Sequence, residues 1–168
     1  MRVGGPVQRL SAIRELSMAS PEQRAQIVAI LDAADDLTIA TNREDGYPQA
    51  TTVSFVNDGP AIYFGTWTQS QKAKNIARDN RVSVTVDAPY KDWDGIRSLS
   101  IGGRAQRVTA AEEQQRVGGL MISKFPRLGE FVKSQSPTDL ALYRIDAEIV
   151  SILDYSKGFG HTEYAPLP

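Results

Sequence analysis

Gln49-Ala50-Thr51-Thr52-Val53-Ser54-Phe55-Val56-Asn57-Asp58-Gly59-Pro60-Ala61-Ile62-Tyr63-Phe64-Gly65-Thr66 is the stretch on which the fold turns. Its first half is rich in Thr, Val and Phe and predicts a strand from about Gln49 to Val56. Asn57-Asp58-Gly59-Pro60 then reverses the chain, because Asn and Gly tolerate the positive φ that tight hairpins need. Ala61 to Thr66 is the returning strand. Just upstream, Leu37-Thr38-Ile39-Ala40-Thr41 reads as another strand, joined to the first through the turn Arg43-Glu44-Asp45-Gly46. Three consecutive strands joined by short turns make an antiparallel meander.

Downstream of the meander the spacing predicts a helix at about 70–79 and a strand at 81–87. A loop at 88–95 follows, then a strand at about 96–108 that contains Gly102-Gly103. A glycine pair inside a strand marks a bulge, a barrel corner or the close approach of another group. Residues 110–134 read as helical with an interruption around Phe125-Pro126, and a long strand covers roughly 140–153. Upstream, Ser20-Pro21-Glu22-Gln23 combines a cap, a first-position proline and a capping-box glutamine. Ile27, Ile30, Leu31 and Ala34 give the helix at 21–34 one buried stripe. Residues 1–19 read as an extension in which Leu10, Ile13 and Leu16 could form a short docking helix. Residues 20–155 form one domain, and 156–168 a tail. Six or more half-polar strands with few helices predict a mainly β (α+β) chain: a closed or nearly closed antiparallel barrel with peripheral helices. A doubly wound βαβ arrangement fits poorly, since no G-x-G-x-x-G is present and a hairpin joins the second and third strands.

The composition narrows the chemistry. The 168 residues suit one domain, and 41% hydrophobic with 23% charged residues is a globular balance. Nineteen Lys plus Arg against twenty Asp plus Glu leave a net charge of -1, which offers no field for nucleic acid. Without a single Cys there are no disulfides, cysteine-ligated metals or thiol nucleophiles, and His161 alone cannot make a histidine-rich metal site. No apolar run suits a membrane span or a secretory signal, so the expected location is cytoplasmic. Chemistry then falls to a bound cofactor, or to carboxylates and amines, and no catalytic side chain is assigned.

Thr66-Trp67-Thr68-Gln69-Ser70-Gln71-Lys72-Ala73-Lys74-Asn75 is the most informative run for function. Ser70 can cap a helix whose apolar stripe is Ala73, Ile76 and Ala77. Lys72 then falls in the first turn, where a cation is disfavoured by on the order of 0.3–1 kcal/mol relative to an anion. A bound phosphate reverses that sign, because free N–H groups, the Thr66, Thr68 and Ser70 hydroxyls and the Lys72 ammonium would converge on it. Lysines on a solvated helix face are the competing reading, and Asp79 near the far end also opposes the helix dipole.

This ordered set resembles the pyridoxamine 5'-phosphate oxidase-like, FMN-binding split β-barrel family. The matching pieces are Asp58-Gly59, Ile62-Tyr63-Phe64, Thr66, Ser70, Lys72 and Asn75, and the resemblance covers about residues 20–155. It implies that Thr52, Val53 and Ser54 contact the flavin ring and that Thr66, Ser70, Gln71 and Lys72 cradle the FMN phosphate. Gln71 replaces an Arg of the oxidases proper, which lowers the positive charge on the phosphate. Ser98 falls where those oxidases place a Gln that reaches the flavin from the second subunit. The resemblance further implies a homodimer with the cofactor at its interface and a small-molecule substrate. The C-terminal Arg and His with which the oxidases proper hold pyridoxal phosphate are not matched, so the resemblance does not extend to vitamin B6 oxidation.

Other residues fit more than one role. His161 could donate a proton or ligate haem, or be an ordinary solvated residue of a Gly-flanked tail. Trp67 and Trp93 could stack on a flavin or anchor a core or interface, and Trp93 in the loop is the better candidate for a pocket wall. Arg97 and Arg104 read as surface ion pairs before substrate contacts. Glu112-Glu113 reads as dipole complementation at a helix start. Two functions remain: an FMN-dependent oxidoreductase, or a non-enzymatic flavin- or haem-binding protein on the same barrel. A deazaflavin would meet the same cradle, since it too carries a phosphate on a ribityl chain.

Overall fold

In the computed structural model, which describes residues 19–133 and 139–165, Ser20 caps helix α1, Pro21–Ala33. The Ser20 side chain accepts from the Gln23 N–H, and the Gln23 side chain accepts from the Ser20 N–H at 3.1 Å, completing the expected capping box. Ile27, Ile30 and Leu31 are buried and fasten α1 to the barrel core. The docking helix expected around Leu10, Ile13 and Leu16 lies outside the described residues, as do tail residues 166–168.

The strands are β1 (Asp36–Asn42), β2 (Pro48–Asp58), β3 (Ala61–Trp67), β4 (Arg81–Asp87), β5 (Arg97–Arg107), β6 (Leu140–Asp154) and β7 (Thr162–Tyr164). Helix α2 (Gln71–Arg78) follows β3, while α3 (Ala111–Lys124) and α4 (Pro126–Lys133) follow β5. The sheet order is β3-β2-β1-β4-β5-β6-β7, and β3 also pairs with β6. That extra pairing closes the first six strands into an antiparallel barrel, so the expected fold class holds. Gly59 takes the β2–β3 hairpin at φ +57, and Gly46 takes the β1–β2 turn at φ +86.

Strand β6 serves two edges because it is bulged. Its pairing with β5 slips between Gly102–Ile149 and Gly103–Ala147, leaving Glu148 as the additional residue. Before the bulge Tyr143 and Ile145 face inward; after it Val150, Ile152 and Asp154 do. The first half pairs with β3 and the second with β7, a strand absent from the sequence-based expectation. Thr162-Glu163-Tyr164 has no apolar run to announce it, and it forms because the turn through Gly158 and Gly160 lays the tail along β6.

The main core fills the barrel and includes Phe55, Phe64, Ile39, Leu99 and Ile152. A smaller core of Val56, Tyr63, Val108, Val117 and Met121 lies outside it, under α3 and α4.

The glycine pair divides its labour. A Cβ on Gly103 would collide with the Asp146 carbonyl oxygen, whereas one on Gly102 would meet nothing within 4 Å. Gly103→Ala is therefore expected to lose about 1–3 kcal/mol of stability in urea unfolding. Gly102→Ala should stay within about 0.5 kcal/mol of the parent. Equal losses would show that the bulge does not require glycine at 103.

Candidate functional site

Pairing between β2 and β3 ends at Phe55–Phe64. Beyond it β2 stays with β1 as far as Asn42–Pro48, while β3 pairs with β6 out to Trp67–Leu140. Continued past that last pair, the register would bring Val53 opposite Thr66, so these residues flank an opening. Helix α2 packs beside it, against β1 and β3.

Asn75 fixes that helix. It is 1% exposed, and its Nδ2 donates to Thr41 Oγ1 on β1 at 3.0 Å and to Gln49 Oε1 on β2 at 3.1 Å. Its Oδ1 accepts from Gln71 Nε2 at 2.8 Å. Ala73 and Ile76 join the barrel core from the same helix, but Ala77, expected on the buried stripe, is exposed. The hydrogen bonds to Thr41 and Gln49 turn Asn75 inward and rotate Ala77 to the outside.

At the helix start Ser70 is the cap, its Oγ accepting from the Ala73 N–H at 3.1 Å and lying 3.2 Å from Thr66 Oγ1. The Ser70 carbonyl takes the Lys74 N–H at 3.1 Å, which leaves the N–H groups of Gln71 and Lys72 without a partner among the described residues. The Lys72 ammonium is half-buried and likewise has no hydrogen bond or ion pair among those residues. Burial pushes its pKa below the usual lysine value. There is no acidic side chain in this first turn. An uncompensated ammonium at the positive end of a helix is unfavourable in the free protein, and an anion removes the conflict. Thr66, Ser70 and Lys72 thus lie at or just before the start of this helix, while the Gln71 side chain is committed to Asn75.

The residues expected at the flavin ring divide by face. Thr52 and Ser54 point outward, but Val53 is 8% exposed within the core, so on the outer face it offers only backbone. Ser54 Oγ donates to Asp36 Oδ1 at 2.6 Å. Thr52, Thr38, Thr85, Ser100 and Ser151 form one cross-strand row on the outside of the barrel. Ala50, Ala40, Ser83, Gly102 and Ile149 form the next. Neither row carries a charge. Ser98 is on β5, three strands from β2 and hence roughly 14 Å away across the sheet. One chain therefore does not bring Ser98 to the cradle.

The tail packs at the far ends of β4, β5 and β6. Trp93 meets Tyr155 and Phe159 edge-on, at centroid distances of 6.1 and 5.9 Å. Burial alone would raise the Asp154 carboxyl, but hydrogen bonds from the Ser156 hydroxyl and N–H and the Arg97 charge hold it below its usual value. His161 Nε2 is 2.9 Å from Glu163 Oε1, which also accepts from Lys157 Nζ at 2.7 Å. These contacts, Lys157 foremost, hold the Glu163 carboxyl down to about 2. Arg97 and Arg104 form ion pairs with Asp154 and Glu148, and Glu113 takes Arg144 at 3.1 Å. Among the described residues no cluster of three His, Asp or Glu could hold a metal, and no helix is long and apolar enough to cross a membrane.

The profile of the family described as pyridoxamine 5'-phosphate oxidase matches residues 23–154. A pyridoxine/pyridoxamine 5'-phosphate oxidase of Kineococcus radiotolerans is 30% identical over 117 residues, which are 67% of this chain and 49% of the relative. The chain thus spans about half the length of that curated relative. Among solved structures, a conserved hypothetical protein of Mycobacterium tuberculosis superimposes with a TM-score of 0.70 at 26% identity, over 85% of this chain and 90% of the other. A haem-binding protein of Mycobacterium smegmatis superimposes with a TM-score of 0.72 at 19% identity, over 90% and 60% of the two chains. At that identity the likeness speaks for the fold alone.

Asn75→Ala is expected to cost about 1–3 kcal/mol in urea unfolding, because it leaves buried Thr41 without a partner. Gln71→Ala, at an exposed side chain, should change stability by no more than about 0.5 kcal/mol. A near-neutral Asn75→Ala would mean that α2 is fixed by apolar packing alone.

Proposed function

The chain belongs to the pyridoxamine 5'-phosphate oxidase family, and we propose that within it this chain is a flavin-dependent oxidoreductase holding FMN beside the β2–β3 opening. Lys72 carries the reading: a half-buried ammonium with no anionic partner among the described residues, next to two free N–H groups and the Ser70 cap. The residues present fit a phosphate in number and in kind. Lys72 would neutralise it, the Gln71 and Lys72 N–H groups would donate to it, and Thr66 and Ser70 would supply hydroxyls. Thr52, Ser54 and the Val53 backbone would orient the ring on the outer face. Once bound, the flavin supplies hydride transfer at N5, which accounts for a site without a dedicated acid–base pair.

A homodimer belongs to the same proposal. Ser98 cannot reach a ring held by its own cradle, so it would serve the site of a partner subunit. The uncharged outer rows, with open space at Gly102, suit close approach of a ring or of a second sheet. Gln71 is neutral and its side chain is tied to Asn75, so within the proposed cradle the phosphate would meet the one cation, Lys72. The substrate is read as a small molecule. A second reading, haem handling, rests on His161, whose ring is partly exposed in the tail, and on the haem-binding fold neighbour. Against it, His161 Nε2 already faces Glu163.

The purified protein is expected to be yellow, to release FMN on denaturation and to bind one FMN per subunit of a dimer. Mass analysis of the released compound separates FMN from a deazaflavin. Lys72→Ala should weaken FMN binding about ten- to a hundredfold, the worth of one charge-assisted contact. A protein that cannot be loaded with FMN, or a Lys72→Ala variant with parental affinity, would overturn the proposal. A Soret band on haem addition, lost in His161→Ala, would favour the second reading.

A further inference from the structure

We propose that the cleft beneath α3 and α4 is a second ligand site, built for a small hydrocarbon carboxylate and independent of the flavin reading. Beside the small outer core a cavity of about 300 Å³ stays open. Val108, Met121, Ile122, Leu128, Leu140 and Leu142 line it. An apolar space of this size holds water poorly and accepts apolar guests. Ile122, 49% exposed, leaves a large apolar side chain facing solvent.

Gly118 also lines the cavity, well inside α3, where glycine disfavours helix by about 0.8–1 kcal/mol relative to alanine. Nothing in the fold requires it there: its φ is not positive, and a Cβ would meet nothing within 4 Å. The missing side chain keeps the cavity wide.

The polar part of the lining selects the head group. Arg107 lines the cavity and makes no hydrogen bond or ion pair among the described residues, unlike Arg97, Arg104, Arg116 and Arg144. Gln114 donates one of its two Nε2 hydrogens to the Val108 carbonyl at 2.9 Å and can add only a neutral donor, so the charge in the lining is that of Arg107. An exposed guanidinium in the lining of an aliphatic space, its charge met otherwise among the described residues only by the Tyr143 hydroxyl, fits a carboxylate, taken in the bidentate manner arginine favours, with its hydrocarbon inside. The cleft shares no residue with the cradle, although its wall strand β6 pairs Ala141 with Thr66 and Leu140 with Trp67.

Calorimetric titration of the full chain with octanoate and with 1-octanol tests this. Both compounds are expected to bind, saturating at one per chain. Gly118→Leu, which fills the space, should abolish both. Arg107→Gln should weaken octanoate roughly tenfold and leave octanol unchanged. Methyl NMR of the parent protein, which needs no variant to fold, should place the octanoate-induced shifts at Met121, Leu140 and Leu142. Absence of saturable binding, full binding by a folded Gly118→Leu, or methyl shifts confined to other residues would overturn the site. Equal octanoate affinity in Arg107→Gln would overturn the carboxylate assignment.

Discussion

A single buried carboxamide holds the working end of this barrel together. Asn75 reaches from α2 to Thr41 on β1 and Gln49 on β2, on the part of β2 that has left β3 and stays with β1. Burying an amide without partners costs about 1–3 kcal/mol on protein scales, so the helix is held in the orientation that satisfies it. That orientation brings Ala73 and Ile76 into the core and carries Lys72 into partial burial at the start of the helix. The unmatched charge of Lys72 is thus a consequence of how Asn75 is satisfied. Function, on this account, is stored as an electrostatic conflict that a phosphate resolves.

The rest of the barrel serves that end. The bulge at Glu148 lets one long strand close the barrel against β3 and still carry β7 and the tail. Gly103 admits the Asp146 carbonyl at the slip, while Gly102 opens the outer face beside the uncharged rows. Charge is placed elsewhere: Asp154, Glu163 and Lys157 lock the tail, and Arg144, Glu113 and Tyr63 lock α3. On the face proposed to receive the ring the Thr52 and Ala50 rows carry no charge, and the carboxylate beside them, Asp36, is bonded to Ser54.

Local chemistry made much of this legible in the sequence. The Ser20 capping box, the glycine turns, the meander, the strand at 81–87 and the Ser70 cap each depend on residues close together in the chain, and each formed within a residue or two of its expected bounds. The family resemblance rested on the same stretch and agrees with the profile match. What escaped depends on partners distant in sequence. Ala77 looked apolar enough to be buried, yet Thr41 and Gln49, more than twenty residues upstream, draw Asn75 inward instead. Strand β7 exists only because β6 offers it an edge.

The most direct measurement is an NMR titration of the Lys72 side-chain amine in the free protein and in the presence of FMN. In the free protein its pKa should lie below the ordinary lysine value, because burial disfavours the charged form. A bound phosphate should raise it; by linkage, binding then takes up protons, and affinity falls as pH rises through the free-state pKa. A Lys72 that titrates at the ordinary value with and without FMN would contradict the account.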